Sequence, residues 1–154
     1  MLENLTHRGA VGADPLVGDG AGVLVQIPDR FFREEMAGQG VELPPARGYG
    51  VGHWFMPQDT ALRAHIDDVI VESAQSEGFA VLGFRDVPVD NASLSRAPDI
   101  VAAEPFHRQV FFGRPAEIEN DDDFERRLYI LRKVISGRIY AENDNRDVGA
   151  YCVS

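Results

Sequence analysis

The chain is poor in cysteine, in positive charge and in uninterrupted apolar sequence, and each shortage excludes something. Cys152 is the only cysteine, so no disulfide can close within the chain, and a reducing compartment, the cytoplasm, is the expected setting. No stretch approaches the roughly 18 apolar residues of a membrane span. The opening residues Met1-Leu2-Glu3-Asn4 lack the basic and apolar regions of a secretion signal. Lys and Arg together number 15 against 25 Asp and Glu, a net charge of -10. Such a surface repels both the phosphate backbone of nucleic acid and an anionic membrane. Low-complexity tracts and internal repeats are absent as well.

What remains is the composition of a globular domain. The 154 residues are 44% apolar and 26% charged, enough for one core of ordinary size. Two helices are legible. In 59–77, Leu62, Ile66, Val69 and Ile70 recur at helical spacing, with Asp59 as N-cap and Gly78 as a left-handed terminator. From Asp121 to about Ala141, Phe124, Leu128, Leu131, Ile135 and Ile139 form a second stripe. Its acidic start, Asp121-Asp122-Asp123, suits the positive end of the helix dipole. Arg126, Arg127, Arg132 and Lys133 are expected on the wetter side. A shorter helix is expected over Arg30–Ala37.

Strands are expected over 22–27, 49–56, 79–85, 107–112 and 150–153, each bounded by turn residues. The run 79–84 has the continuous apolar character of a buried strand. The segments 43–48 and 86–98 are expected as loops from their Pro and Gly content. Periodicity alone leaves parallel α/β and α+β arrangements both open.

The most unusual stretch is Asn4 to Gly22, with five glycines, three of them in the run Gly18-Asp19-Gly20-Ala21-Gly22. Glycine at that density marks sharp turns or a close approach of the backbone. A phosphate-binding loop fits poorly, because such loops follow a strand and open a helix, whereas these glycines precede an apolar strand pattern.

At these residues the chain resembles the glutamine amidotransferase domain of glutamate synthase large subunits. The resemblance rests on LENLTHRGAVGADPLVGDGAGVLVQIPDRFF (residues 2–32), and continues through YGVGHWFMPQD, FAVLGFRDVPVDN, RQVFFGRP and RRLYILRK. It thus runs over essentially the whole chain. It implies an α+β fold, part of a four-layer αββα N-terminal-nucleophile (Ntn) hydrolase sandwich with antiparallel sheets. Residues 1–154 would be an internal portion of a single such domain.

The resemblance also implies a chemistry. An N-terminal cysteine attacks the glutamine carboxamide, its own α-amino group serving as base; a thiol near pKa 8.5 and an amine near about 8 suit one another. The ammonia is then added to 2-oxoglutarate at a distant site, with reduction through FMN and an iron–sulfur cluster held elsewhere in the parent enzyme. The implied partners are the rest of the large subunit and, in the bacterial type, a small NADPH-dependent subunit. Leu2-Glu3-Asn4-Leu5 has the character of a helix end, and the chain stops inside the apolar run Tyr151-Cys152-Val153-Ser154. Both edges suggest interruption. The nucleophilic cysteine is expected before Leu2, and the glutamine-clamping arginine and the oxyanion Asn-Gly pair beyond Ser154. The chain alone is therefore expected to be inactive, either as part of the ammonia-supplying domain or as a non-catalytic assembly module derived from it.

By the same resemblance His7, Arg8 and Gly9 lie beside the active site. Two readings of Arg8 stand: a neighbour of the nucleophile, or an arginine tying the helix end to carbonyls. His7 is the more simply read as structural. Asp14, Asp19, Gly20 and Gly22 are assigned to loop structure, the aspartates accepting backbone N–H bonds. Cys152 has no free amine beside it and falls in an apolar strand, so it is not assigned as nucleophile. His53, His65 and His107 fall on three separate elements and are not assigned to a metal; His65 is expected to be solvated.

Overall fold

A computed structural model describes residues 25–92, 98–144 and 148–153. They divide between two compact units. One comprises Pro28–Pro88 and Pro105–Ser154; the other comprises Met1–Ile27 and Val89–Glu104.

In the larger unit, α1 (Asp29–Ala37), β1 (Tyr49–Met56), α2 (Thr60–Ser76), β2 (Ala80–Asp86), β3 (Phe106–Gly113), α4 (Asp121–Glu142) and β4 (Tyr151–Val153) follow in chain order; α3 (Pro98–Ala103) lies in the smaller unit. The four strands make one antiparallel sheet in the order β2-β3-β1-β4. That settles the alternative left open by periodicity: the fold is α+β.

Local chemistry explains the ends of the helices. The Asp59 carboxylate accepts from the Leu62 N–H at 2.8 Å, capping α2 as its sequence suggests. At the other end Gly78 takes φ +80°, and the Phe79 N–H returns to the Ala74 carbonyl at 2.8 Å. Helix α4 is capped one residue earlier than its acidic run: Asn120 Oδ1 accepts from the Asp123 N–H at 2.8 Å.

Alternation along β1 sends its residues to opposite faces. Trp54 and Met56 enter the larger core with Ile66, Ile70, Leu131 and Ile135 from α2 and α4. Each such side chain contributes about 1.5–3 kcal/mol by leaving water. Gly50 faces the same way. A Cβ there would stand 2.5 Å from a Leu128 methyl, so the missing side chain is what lets α4 lie this close to the sheet. On the other face Tyr49 and Phe111 pack with Phe32 and Met36 of α1 into a second, smaller core.

Four sequence expectations are corrected. Of the strand expected over 22–27, residues 22–24 lie outside the described residues and 25–27 form no strand, with Val25 66% and Ile27 44% exposed. The run at 79–84 is not fully buried: β2 is an edge strand, mostly half-exposed, and its register with β3 shifts between Val81 and Gly83. Helix α3 begins at Pro98, where a loop was expected to end, because proline is tolerated in the first turn. Arg127 does not lie on a wet face; it is partly buried and donates to the Glu77 carbonyl at 2.8 Å.

Candidate functional site

The residues assigned by resemblance to the neighbourhood of the reaction centre, His7, Arg8 and Gly9, and the loop residues Asp14, Asp19, Gly20 and Gly22, all lie outside the described residues. The described part of the larger unit holds two features with chemical content.

The first is on the sheet face that carries α1. Beyond the small core, β1 and β3 place His53 and His107 diagonally across the antiparallel register, in which His53 opposes Gln109 and Phe55 opposes His107. His53 Nε2 lies 3.3 Å from His107 Nδ1. The sequence placed these histidines on separate elements and saw no proximity; the register supplies it. Phe55 meets both rings, with centroids at 5.1 and 4.9 Å, and stacks on Tyr151 of β4 at 4.6 Å. Burial, and then the neighbouring His107, push the His53 pKa down, favouring the neutral ring. Nearer α1 the same face holds Arg85, only 7% exposed, which donates to Glu35 Oε2 at 2.7 and 2.9 Å and to Gln109 Oε1 at 3.1 Å.

His65 is exposed, as expected, and its Nε2 lies 3.4 Å from the Glu142 carboxylate at the end of α4. Among the described residues no three His, Cys, Asp or Glu side chains converge on one point.

The second feature is a groove of about 490 Å³ between the ends of β2 and β3, lined by Pro44, Gly48, Leu82, Arg114, Pro115 and Ile118 among others. Its one cation is committed elsewhere: Arg114 donates to the Ile118 carbonyl at 2.8 Å and to Asp121 at 2.7 Å. Asp121 is in turn held well below the usual carboxylate range, first by Arg114 and further by Arg47. The groove therefore offers shape and backbone, and no acid, base or nucleophile.

Cys152 sits on β4, where it opposes Trp54. Burial pushes its thiol up to about 12. A thiol that holds its proton is not a nucleophile at neutral pH. The iron–sulfur cluster implied for the parent enzyme takes several cysteine thiolates, and one cysteine cannot supply them. No helix among the described residues is long and apolar enough to cross a membrane.

The antiparallel α+β frame carries the stretches YGVGHWFMPQD, FAVLGFRDVPVDN, RQVFFGRP and RRLYILRK. The chain belongs to the family of class-II glutamine amidotransferases, which it matches over residues 1–154.

Within that family it is similar to glutamate synthases. It is 44% identical over 133 residues to the glutamate synthase [NADPH] large chain of Bacillus subtilis, covering 86% of this chain and 8% of that protein. It is 38% identical over 148 residues to the glutamate synthase [NADH] of Schizosaccharomyces pombe, covering 92% of this chain and 7% of that one. The ferredoxin-dependent glutamate synthase 2 of Arabidopsis thaliana is 36% identical over 139 residues, with 90% and 8% covered. The chain thus spans less than a tenth of the length of these relatives.

Proposed function

We propose that residues 1–154 are an internal portion of the single glutamine-hydrolysing domain of a glutamate synthase large subunit, which supplies ammonia for making glutamate from 2-oxoglutarate. The observation that carries this reading is the family match along the whole chain, joined to 44% identity with a glutamate synthase large chain. The antiparallel sheet with helices on both faces agrees with one half of a layered Ntn-hydrolase sandwich.

In this reading the chain's own residues build and brace the scaffold. Helices α2 and α4 cover one face of the sheet. His7, Arg8 and Gly9 stand next to the nucleophile, and Asp14, Asp19, Gly20 and Gly22 shape the loop leading away from it. The attacking thiol comes from outside residues 1–154, since Cys152 keeps its proton and has no amine beside it. FMN and the iron–sulfur cluster act elsewhere in the parent enzyme, with the rest of the large subunit as partner and a small NADPH-dependent subunit beyond it. The working location is the cytoplasm.

The chain alone, incubated with glutamine, is expected to release neither ammonia nor glutamate above background. Turnover that survives removal of trace contaminants would overturn the assignment of the nucleophile to another segment.

A further inference from the structure

Two imidazole nitrogens on neighbouring strands can be close for two reasons, a shared proton or a shared metal ion. Two nitrogens on one tetrahedral metal ion, each about 2.0–2.1 Å from it, stand about 3.3–3.4 Å apart. His53 Nε2 and His107 Nδ1 are 3.3 Å apart, within reach of a ring hydrogen bond and at the spacing two nitrogens take on one ion.

We propose that His53 and His107 form a two-histidine site for a borderline divalent transition metal such as Zn²⁺, with water completing the coordination. Two features of the sheet support it. The register between β1 and β3 fixes both backbones, so the pair is preorganised and not assembled from mobile loops. Phe55 touches both rings and is itself stacked on Tyr151, which restricts rotation of the imidazoles. Arg85, a cation on this face, is paired with Glu35.

Imidazole donors suit Zn²⁺, Ni²⁺, Co²⁺ and Cu²⁺ and disfavour Mg²⁺ and Ca²⁺. With two protein ligands the site is open, and a further donor from another segment or molecule could close it. The proposal is independent of the amidotransferase reading.

The test uses the full chain, stripped with a chelator and titrated with ZnCl₂ by calorimetry. One ion is expected to bind, and His53→Gln and His107→Gln are each expected to weaken binding about tenfold or more, while His65→Gln leaves it unchanged. As a readout that needs no variant, long-range imidazole ¹H–¹⁵N spectra of the unmodified chain should show zinc shifting the rings of His53 and His107 together. Zinc that fails to bind, or that binds with these two rings unshifted or with equal affinity in His107→Gln, would overturn the proposal.

Discussion

Glu35 on α1 receives both Nε and Nη2 of Arg85 on β2, at 2.9 and 2.7 Å, and is the only carboxylate among the described residues that pairs with this buried guanidinium. The asymmetry in exposure decides what the pair is worth. The Arg85 side chain is 8% exposed and Glu35 is 42% exposed, so the carboxylate gives up little hydration while the arginine depends on it. Removing the carboxylate leaves a buried charge with the Gln109 amide as its remaining partner. Glu35→Ala should destabilise the chain by about 2 kcal/mol, below the range for a fully buried pair because Glu35 is partly wet. Replacing both residues by methionine should recover part of the loss. Urea denaturation checks both, and a Glu35→Ala variant as stable as the parent would contradict the pairing.

Tyr49 sets the behaviour at high pH. Its hydroxyl donates to Asp29 Oδ1 at 3.0 Å, and burial first, then that bond, raise its pKa to about 12. A phenol whose folded pKa exceeds its ordinary value near about 10 contributes stability that is fully present below pH 10 and is lost as pH climbs through about 12. Stability followed by denaturation across that window should fall with pH in the parent. Tyr49→Phe should flatten the fall. An unchanged slope would show that Tyr49 does not ionise there.

The inertness of Cys152 is directly measurable. With its pKa raised from an ordinary 9.0 to about 12 by burial, the folded chain holds about a thousandfold less thiolate at neutral pH than an unperturbed cysteine. Alkylation by iodoacetamide should therefore be slow in the native chain and fast once urea is added. Rapid native alkylation would return Cys152 to consideration as a nucleophile.

Gly50 tests the seat of α4 on the sheet. A methyl group added there meets Leu128 at 2.5 Å, closer than packed atoms tolerate. Gly50→Ala should cost about 1–3 kcal/mol through overpacking. Gly137, where an added Cβ would meet nothing within 4 Å, is the control: an alanine there in mid-helix should be neutral or stabilising.

The elements most legible in the sequence were those whose pattern is local. The strand Tyr49–Met56 is bounded as its residues suggest, and α2 and α4 follow the apolar stripes of Ile66 and Ile70, and of Leu131 and Ile135. What escaped depends on pairing or on position within an element. Pro98 ends a loop by composition yet opens α3, because its missing N–H is not needed in the first turn. The continuous apolar run in β2 suggested a buried strand, and its edge position among the described strands follows only from topology. His53 and His107 are 54 residues apart, and their contact requires knowing the β1–β3 register. The motif-bearing residues His7, Arg8 and Gly9 were legible by resemblance alone and lie outside the described residues.

The central claim is that this segment belongs in a glutamine-hydrolysing domain. The most direct measurement grafts it into one: residues 1–154 replace their counterparts in the Bacillus subtilis large chain, which is 44% identical to this chain over 133 residues. Ammonia release from glutamine is then followed. The hybrid should hydrolyse glutamine, and His7, Arg8 and Gly9 should sit beside the resident nucleophile. A hybrid that folds with native circular dichroism but releases no ammonia would contradict the account.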